Sequence, residues 1–371
     1  MLLLALLSAQ WGHAQLLDQL KKEVGKIIYY DTNLDLDQIP GFVIAVQLGD
    51  SSYVWGNGTL DQQTTTPVDG QTVFELGGLT KVFTASLVNL LVAEGLMHYD
   101  SSFNSYLPLP FRNSSAQHLT IRHLVQHTSG LPRVPHEFGL KEKDSNNPYA
   151  HYTFDDLLKF YQKYLFEHKG AAKYQYAHTN YALLEYAIEQ VTQQKFEQVL
   201  EQKILRPLAM PNTWVNAPQD TTLALLSPGH SRSGLTRPAW TFEGAFRASE
   251  GLKSNADDLL LYLQANLGIG PEDLCQNFAQ NHDKSVDTEI QQQTYIGNGW
   301  HVMKMKKYYD VILHAGATDG HRAFVAFVKE TRTGVILLSN SELGMQGLGI
   351  LILRMINQNW KKPKKKKKKK H

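Results

Sequence analysis

The chain is predicted to be an α/β protein of the α+β kind: both ends of the sequence build one antiparallel sheet, and an all-helical lobe is inserted between them. Strand-like segments run from Gly41 to Trp55 and return between Trp300 and Ser339, while the residues between carry helical apolar spacing and helix caps. Strands at both ends of a helical middle are most simply joined in one sheet. The division that follows is a sheet subdomain from 15–80 and 290–360, a helical subdomain from 81–289, a leader at 1–14 and a tail at 361–371.

Taken in order, Leu16 to Ile28 reads as an amphipathic helix. Pro40 introduces a strand from Gly41 to Leu48, and Gly49-Asp50 is the hairpin turn into a second strand at Tyr53 to Trp55. Lys81 to Glu94 has Val82, Phe83, Leu87, Leu90 and Leu91 on one helical face, with Gly95 as the stop. Thr120 and Thr153 start two further helices, Asn180 to Val191 and Phe196 to Ile204 form two more, and Pro207 ends the last. Gly, Ser and Pro between His230 and Ala245 indicate a long loop, after which a helix resumes near Asn255. Strands follow at Trp300–Met303, Val311–Leu313, Ala323–Lys329 and Gly334–Ser339, and a helix from Leu348 to Trp360 closes the fold.

The apolar run Leu2 to Leu7 is too short to span a bilayer. It reads as the core of a secretory signal peptide, with small residues in Trp11-Gly12-His13-Ala14 at the cleavage positions and Gln15 opening the mature chain. That reading places the protein outside the cytoplasm, periplasmic or secreted; the alternative is a buried N-terminal helix. Cys275 is the only cysteine, so no internal disulfide can form. The net charge of +2 conceals an uneven distribution, because nine of the 37 basic residues are lysines of the tail Lys361 to Lys370. Without those nine, 28 basic residues face 35 acidic ones, a body charge of −7. An acidic body excludes the nucleic-acid-binding class, and no nucleic-acid partner is expected. The tail could tether the chain to an anionic surface or serve as a solubilising end.

The chemistry centres on one segment. In serine acyl-transfer enzymes of the S-x-x-K type, the serine starts a helix and the lysine follows one turn later, so amine and hydroxyl lie side by side. Phe74-Glu75-Leu76-Gly77-Gly78-Leu79-Thr80-Lys81-Val82-Phe83-Thr84-Ala85 has that layout. It resembles the F-x-x-G-S-x-T-K-x-F-T-A stretch of the class C β-lactamase-like serine hydrolases, the family of β-lactamases and penicillin-binding proteins. The resemblance extends from about Ile39 to Asn340. His123-Leu124-Val125-Gln126-His127-Thr128-Ser129-Gly130-Leu131-Pro132 is similar to H-L-L-x-H-T-S-G-L-P, and Tyr176-Ala177-His178 to the Tyr-Ser-Asn motif. Arg206-Pro207-Leu208-Ala209-Met210 resembles R-P-L-G-M. Glu250 to Leu259 resembles G-G-L-x-S-T-A-x-D-L, and His314-Ala315-Gly316 the His-x-Gly or Lys-Thr-Gly motif.

The resemblance implies a β-lactamase/transpeptidase-like fold and acyl transfer to β-lactams, D-amino-acid peptides or esters, small-molecule or peptide substrates handled without a cofactor. It further implies that Lys81 and Tyr176 handle protons, that His178, His314 and Gly316 border the substrate, and that the N–H groups of Gly78 and Ala317 bind the oxyanion. Two departures qualify this. Gly78 stands where the nucleophilic serine belongs and cannot form an ester, although a serine there would lie beside its base. His178 replaces the asparagine that bonds substrate and lysine. Three readings follow: a serine hydrolase in which Gly78 was introduced to trap substrate, a natural pseudoenzyme that binds peptide, cell-wall or acyl ligands, and an enzyme using Lys81 and Tyr176 as non-covalent acid and base. His127, His178, His314 and His321 lack metal-ligand spacing, so no metal is expected. Asn57-Gly58-Thr59 and Asn113-Ser114-Ser115 are incidental sequons.

Overall fold

A computed structural model describes residues 2–138, 147–167, 170–217, 225–291, 293–305 and 309–359, with side chains from Gly12 onward. The polylysine tail and residues 139–146 lie outside the described residues. Helix α1 (Leu2–Asp31) runs unbroken through the segment read as a leader. Its Leu20, Val24 and Ile27 recur at helical spacing and are buried against the sheet.

Strands β1 (Gly41–Leu48) and β2 (Ser51–Gly58) form the expected hairpin, with Gly49 at φ +60° in the turn. Short β3 (Phe74–Glu75) leads through a 3₁₀ turn, Gly77–Leu79, into α2 (Thr80–Ala93). The helical lobe continues with α3 (Ile121–Val125), α4 (Phe154–Lys163), α5 (His178–Thr192) and α6 (Phe196–Leu200). The side chains of Thr120 and Thr153 accept N–H bonds at the starts of α3 and α4, as anticipated. Beyond α6 the chain widens into a π turn, Glu201–Leu205, instead of continuing as α-helix to Ile204. There the Arg206 N–H reaches back to Glu201 O (2.9 Å), and Pro207, with no N–H, ends the run.

The 230–245 loop carries two short strands, β4 (Gly229–His230) and β5 (Thr236–Arg237). After it come α7 (Arg247–Glu250), β6 (Lys253–Ser254), α8 (Ala256–Asn266) and α9 (Glu272–Ala279). Neither α7 nor α9 was anticipated, and the helical segment is interrupted by β6, which pairs with β3. Then β7 (Val286–Asp287), β8 (Thr294–Ile296), β9 (His301–Lys304), β10 (Asp310–Ala317), β11 (Arg322–Val328) and β12 (Thr333–Ser339) precede α10 (Gln346–Asn357). The C-terminal strands of the sheet therefore begin at Val286, ahead of the boundary read at 290.

One eight-stranded sheet has the order β2-β1-β12-β11-β10-β9-β8-β7, antiparallel throughout. Residues of β1 alternate between its faces: Val43 and Ala45 join the core under the helical lobe, while Phe42, Ile44 and Val46 join the core under α1 and α10. With both faces covered, β1 reads as a continuous apolar run. Between sheet and lobe lies α2, buried nearly all round, with Phe83 stacked on Tyr262 at 3.8 Å. Truncating one of its core side chains, such as Leu87→Ala, costs about 2–5 kcal/mol.

Candidate active site

The turn before α2 meets the end of β10 at backbone contact, and glycine on each side permits it. Gly77 has φ +49°, and a Cβ there would lie 2.8 Å from the Ala317 N. A Cβ at Gly316 would drive into the Leu76 carbonyl and lie 3.0 Å from Gly78 N. The backbone of the Gly77–Gly78 turn is thus brought against that of Gly316 and Ala317. Gly78 is buried and Ala317 exposed.

Opposite stands Tyr176, held from below. The Ala177 N–H donates to His127 Nδ1 (3.1 Å), while Ser129 Oγ donates to Asn180 Oδ1 (2.7 Å), so the His127–Ser129 turn grips the start of α5. The Tyr176 hydroxyl lies 3.5 Å from His314 Nε2. His314 Nδ1 is 2.8 Å from the Gly299 carbonyl, which can only accept, so Nδ1 carries the proton and Nε2 accepts from Tyr176. Burial drives the His314 ring down to about 3 and the Tyr176 phenol well above its ordinary value. Both are therefore uncharged near neutral pH. The Arg133 guanidinium covers the outer side of the Tyr176 ring, 5.5 Å from its centroid.

Lys81 is completely buried. Its ammonium meets the Glu250 carboxylate and donates to the Ser249 carbonyl (3.0 Å). His178 Nδ1 also meets Glu250 and lies 3.4 Å from Lys81 Nζ. Since an ionised carboxylate only accepts, His178 Nδ1 holds the proton of that bond. Two of the three Lys81 N–H groups are thereby engaged, and the ammonium sits 4.9 Å from the Tyr176 ring centroid. Burial works to raise Glu250, but His178 and Lys81 outweigh it and bring the carboxyl to about 2. Burial lowers His178 to about 4, against the pull of Glu250, and it lowers Lys81 as well.

Helix α7 delivers Glu250. Thr84 Oγ1 donates to Ala248 O (2.7 Å), and the Leu252 N–H donates to Thr80 Oγ1 (3.0 Å), locking α7 and its exit onto α2. Phe246, just before α7, has φ +76°, a backbone conformation that costs a non-glycine residue about 1–3 kcal/mol. Its ring packs among Phe138, Tyr149 and Tyr152, which holds the turn. At the other end Arg247 bonds Glu185 Oε1 (2.6 Å), Glu189 Oε1 (2.8 Å) and Glu197 Oε1 (3.2 Å).

Gly78, Lys81, Tyr176, His178, His314, Gly316 and Ala317 thus lie in one connected cluster. The histidines have separate partners: His321 Nδ1 meets Glu75 Oε2 (3.2 Å), away from Lys81. Among the described residues no group of three or more His, Cys, Asp or Glu is arranged for a metal ion. Asn113 is buried, with its amide donating to Tyr161 O and Tyr164 O (2.6 Å each), so that sequon is closed in the folded chain. Sequence reasoning missed Glu250, although the signal was present: glutamate occupies the first glycine of the G-G-L-like string. His301, bonded to Tyr174 at 2.8 Å, was missed as well and had no motif to reveal it.

Comparison with known proteins identifies the family. The β-lactamase family model matches residues 29–353. A β-lactamase of Providencia stuartii is 24% identical over 337 residues, covering 82% of this chain and 83% of its own length. One from Escherichia coli K12 is 25% identical, covering 83% and 85%. Protein flp of Staphylococcus aureus N315 is 22% identical over 86% of this chain and 63% of its own length.

Proposed function

The chain belongs to the β-lactamase family of serine hydrolases, and from that premise we propose that it is a natural member that binds acyl ligands of the family's kind without forming an acyl-enzyme. One observation carries this: the three departures from the family's motifs, at Gly78, His178 and Glu250, gather around the same ammonium, that of Lys81. A substitution made only to trap substrate would change position 78 and leave the lysine as the family uses it. Here Lys81 is neutralised by a carboxylate, and a Cβ at position 78 would lie 2.8 Å from the Tyr176 hydroxyl. A side chain at position 78 would have to displace that hydroxyl. The close approach of the Gly77–Gly78 turn to Gly316 and Ala317 supports a reading of the Gly78 and Ala317 N–H groups as carbonyl donors.

The test pairs intact-protein mass spectrometry with calorimetry, using benzylpenicillin, a D-alanyl-D-alanine peptide and a boronic-acid analogue. The expected result is saturable, reversible binding of at least one of them and no mass adduct. A stable adduct, or no binding of any of the three, overturns the reading.

A further inference from the structure

The Tyr176 ring has two cations beside it, and they differ in their partners. Lys81 Nζ, 4.9 Å from the ring centroid, is buried and held by Glu250 and the Ser249 carbonyl. Arg133, 5.5 Å from the same centroid, is exposed. Among the described residues no carboxylate forms an ion pair with its guanidinium, and no acceptor takes a hydrogen bond from it. A guanidinium stacked on a ring keeps its N–H donors at its edge, open to a planar partner. The backbone beneath it is fixed. The Arg133 carbonyl accepts from the N–H groups of His178 (2.8 Å) and Thr179 (3.2 Å), and Thr179 Oγ1 donates to Pro132 O (2.9 Å). The side chain thus springs from an anchored point at the start of α5, next to Tyr176 and His178.

The surrounding charges leave this cation uncompensated. Lys81 and Glu250 cancel each other, and His178, His314 and Tyr176 are uncharged near neutral pH. Asp319, which with Glu250 acts on the neighbouring Tyr149, has the guanidinium groups of Arg237 and Arg322 near it. One net positive charge therefore remains, on a side chain that reaches solvent, beside the tyrosine whose hydroxyl approaches Gly78. From this arrangement we infer that Arg133 selects ligands by charge, pairing its guanidinium with a carboxylate carried on the acyl ligand, so that carboxylate-bearing lactams and peptides are taken in preference to neutral esters. The inference rests on the proposed acyl-ligand site and names the ligand class within it. Arg133 makes or breaks no bond in this role. Because the guanidinium is exposed, water and salt screen part of the attraction, and the preference is moderate.

The experiment is calorimetry on the full chain with two matched pairs: benzylpenicillin and its methyl ester, and N-acetyl-D-alanyl-D-alanine and its carboxamide. The members of a pair share the acyl group and differ in one charge. The parent should bind the acid at least about 10-fold more tightly than the neutral member in at least one pair, the worth of one charge-assisted hydrogen bond. Arg133→Gln should remove that preference by weakening the acid alone. Arg133→Lys, which keeps the charge and loses the fork, should retain part of it. Circular dichroism checks that both variants fold. Added salt should narrow the parent's preference and leave the neutral members unmoved. Equal binding of acid and neutral members by the parent, or a preference that survives Arg133→Gln, overturns the inference and leaves the acyl-ligand reading standing. So does an equal loss for both members in Arg133→Gln, which would make Arg133 a support for Tyr176 only. No binding of any of the four compounds overturns both.

Discussion

At the Arg247 end of α7 one guanidinium is surrounded by three carboxylates, and at the Glu250 end one carboxylate lies between an ammonium and an imidazole. The same short helix thus buries two charge clusters of opposite balance. Negative charge is in excess around Arg247, and burial pushes Glu185 up to about 7 even against the guanidinium. The Glu250 cluster has its single carboxylate matched, and Glu250 falls to about 2. The first cluster anchors α7 to α5 and α6. The second lies beside Gly78 and Tyr176 and sets the state of Lys81. An ionic network that stabilises and one that redefines chemistry can therefore share a helix, distinguished by whether a functional group is among the partners.

The largest effect separating the two ends should come from unpairing either one. Glu250→Gln leaves the Lys81 ammonium buried without its partner and should cost about 3–5 kcal/mol in urea denaturation. Adding Lys81→Met should recover much of that. A cost below about 1 kcal/mol, the range of a solvent-exposed pair, would mean that Glu250 and Lys81 are not paired in solution. Arg247→Met should be comparably severe at pH 8 and milder at pH 5, where Glu185 can take up a proton.

Smaller, and opposite in sign, are the pH dependences. A carboxyl depressed in the fold contributes stability that is complete above its ordinary value near 4.5 and is lost as pH falls towards about 2; that is Glu250. A carboxyl raised in the fold contributes stability that is complete below 4.5 and is lost as pH rises through about 7; that is Glu185. Glu185→Gln should flatten the change between pH 4.5 and 7 and leave the acid limb intact. Unfolding free energies across pH 3–8 check both, and a variant that flattens the other's limb would break the comparison. The smallest change expected is Tyr176→Phe, which removes the bond to His314 and about 0.5–1.5 kcal/mol. Ligand affinity measured by calorimetry should hardly move.

Much of this fold was legible because it is written in local signals. Pro40 and Gly49 bracket β1, Thr120, Thr153 and Asn255 mark the helix starts they cap, and ordered motifs locate Lys81, Tyr176 and His314. Helix α7 was hidden because it has four residues and no apolar period. Its order comes from Thr80, Thr84, Glu185 and Lys81, all distant in sequence. The partnership of Glu250 with Lys81 and His178 was hidden for the same reason, and it changes what a serine at 78 can do. From the sequence, Gly78→Ser places a hydroxyl beside a base; in the structure that base is already held by Glu250.

The most direct test of a remade site, as against one lacking a single hydroxyl, is therefore the rate of fluorophosphonate labelling followed by intact-protein mass spectrometry in three proteins. These are the parent chain, Gly78→Ser, and Gly78→Ser combined with His178→Asn and Glu250→Gly. The account predicts no adduct on the parent, one adduct on the triple variant, and labelling of Gly78→Ser at least about 100-fold slower than the triple variant, the loss expected without a working general base. Labelling of Gly78→Ser at the rate of the triple variant would contradict it.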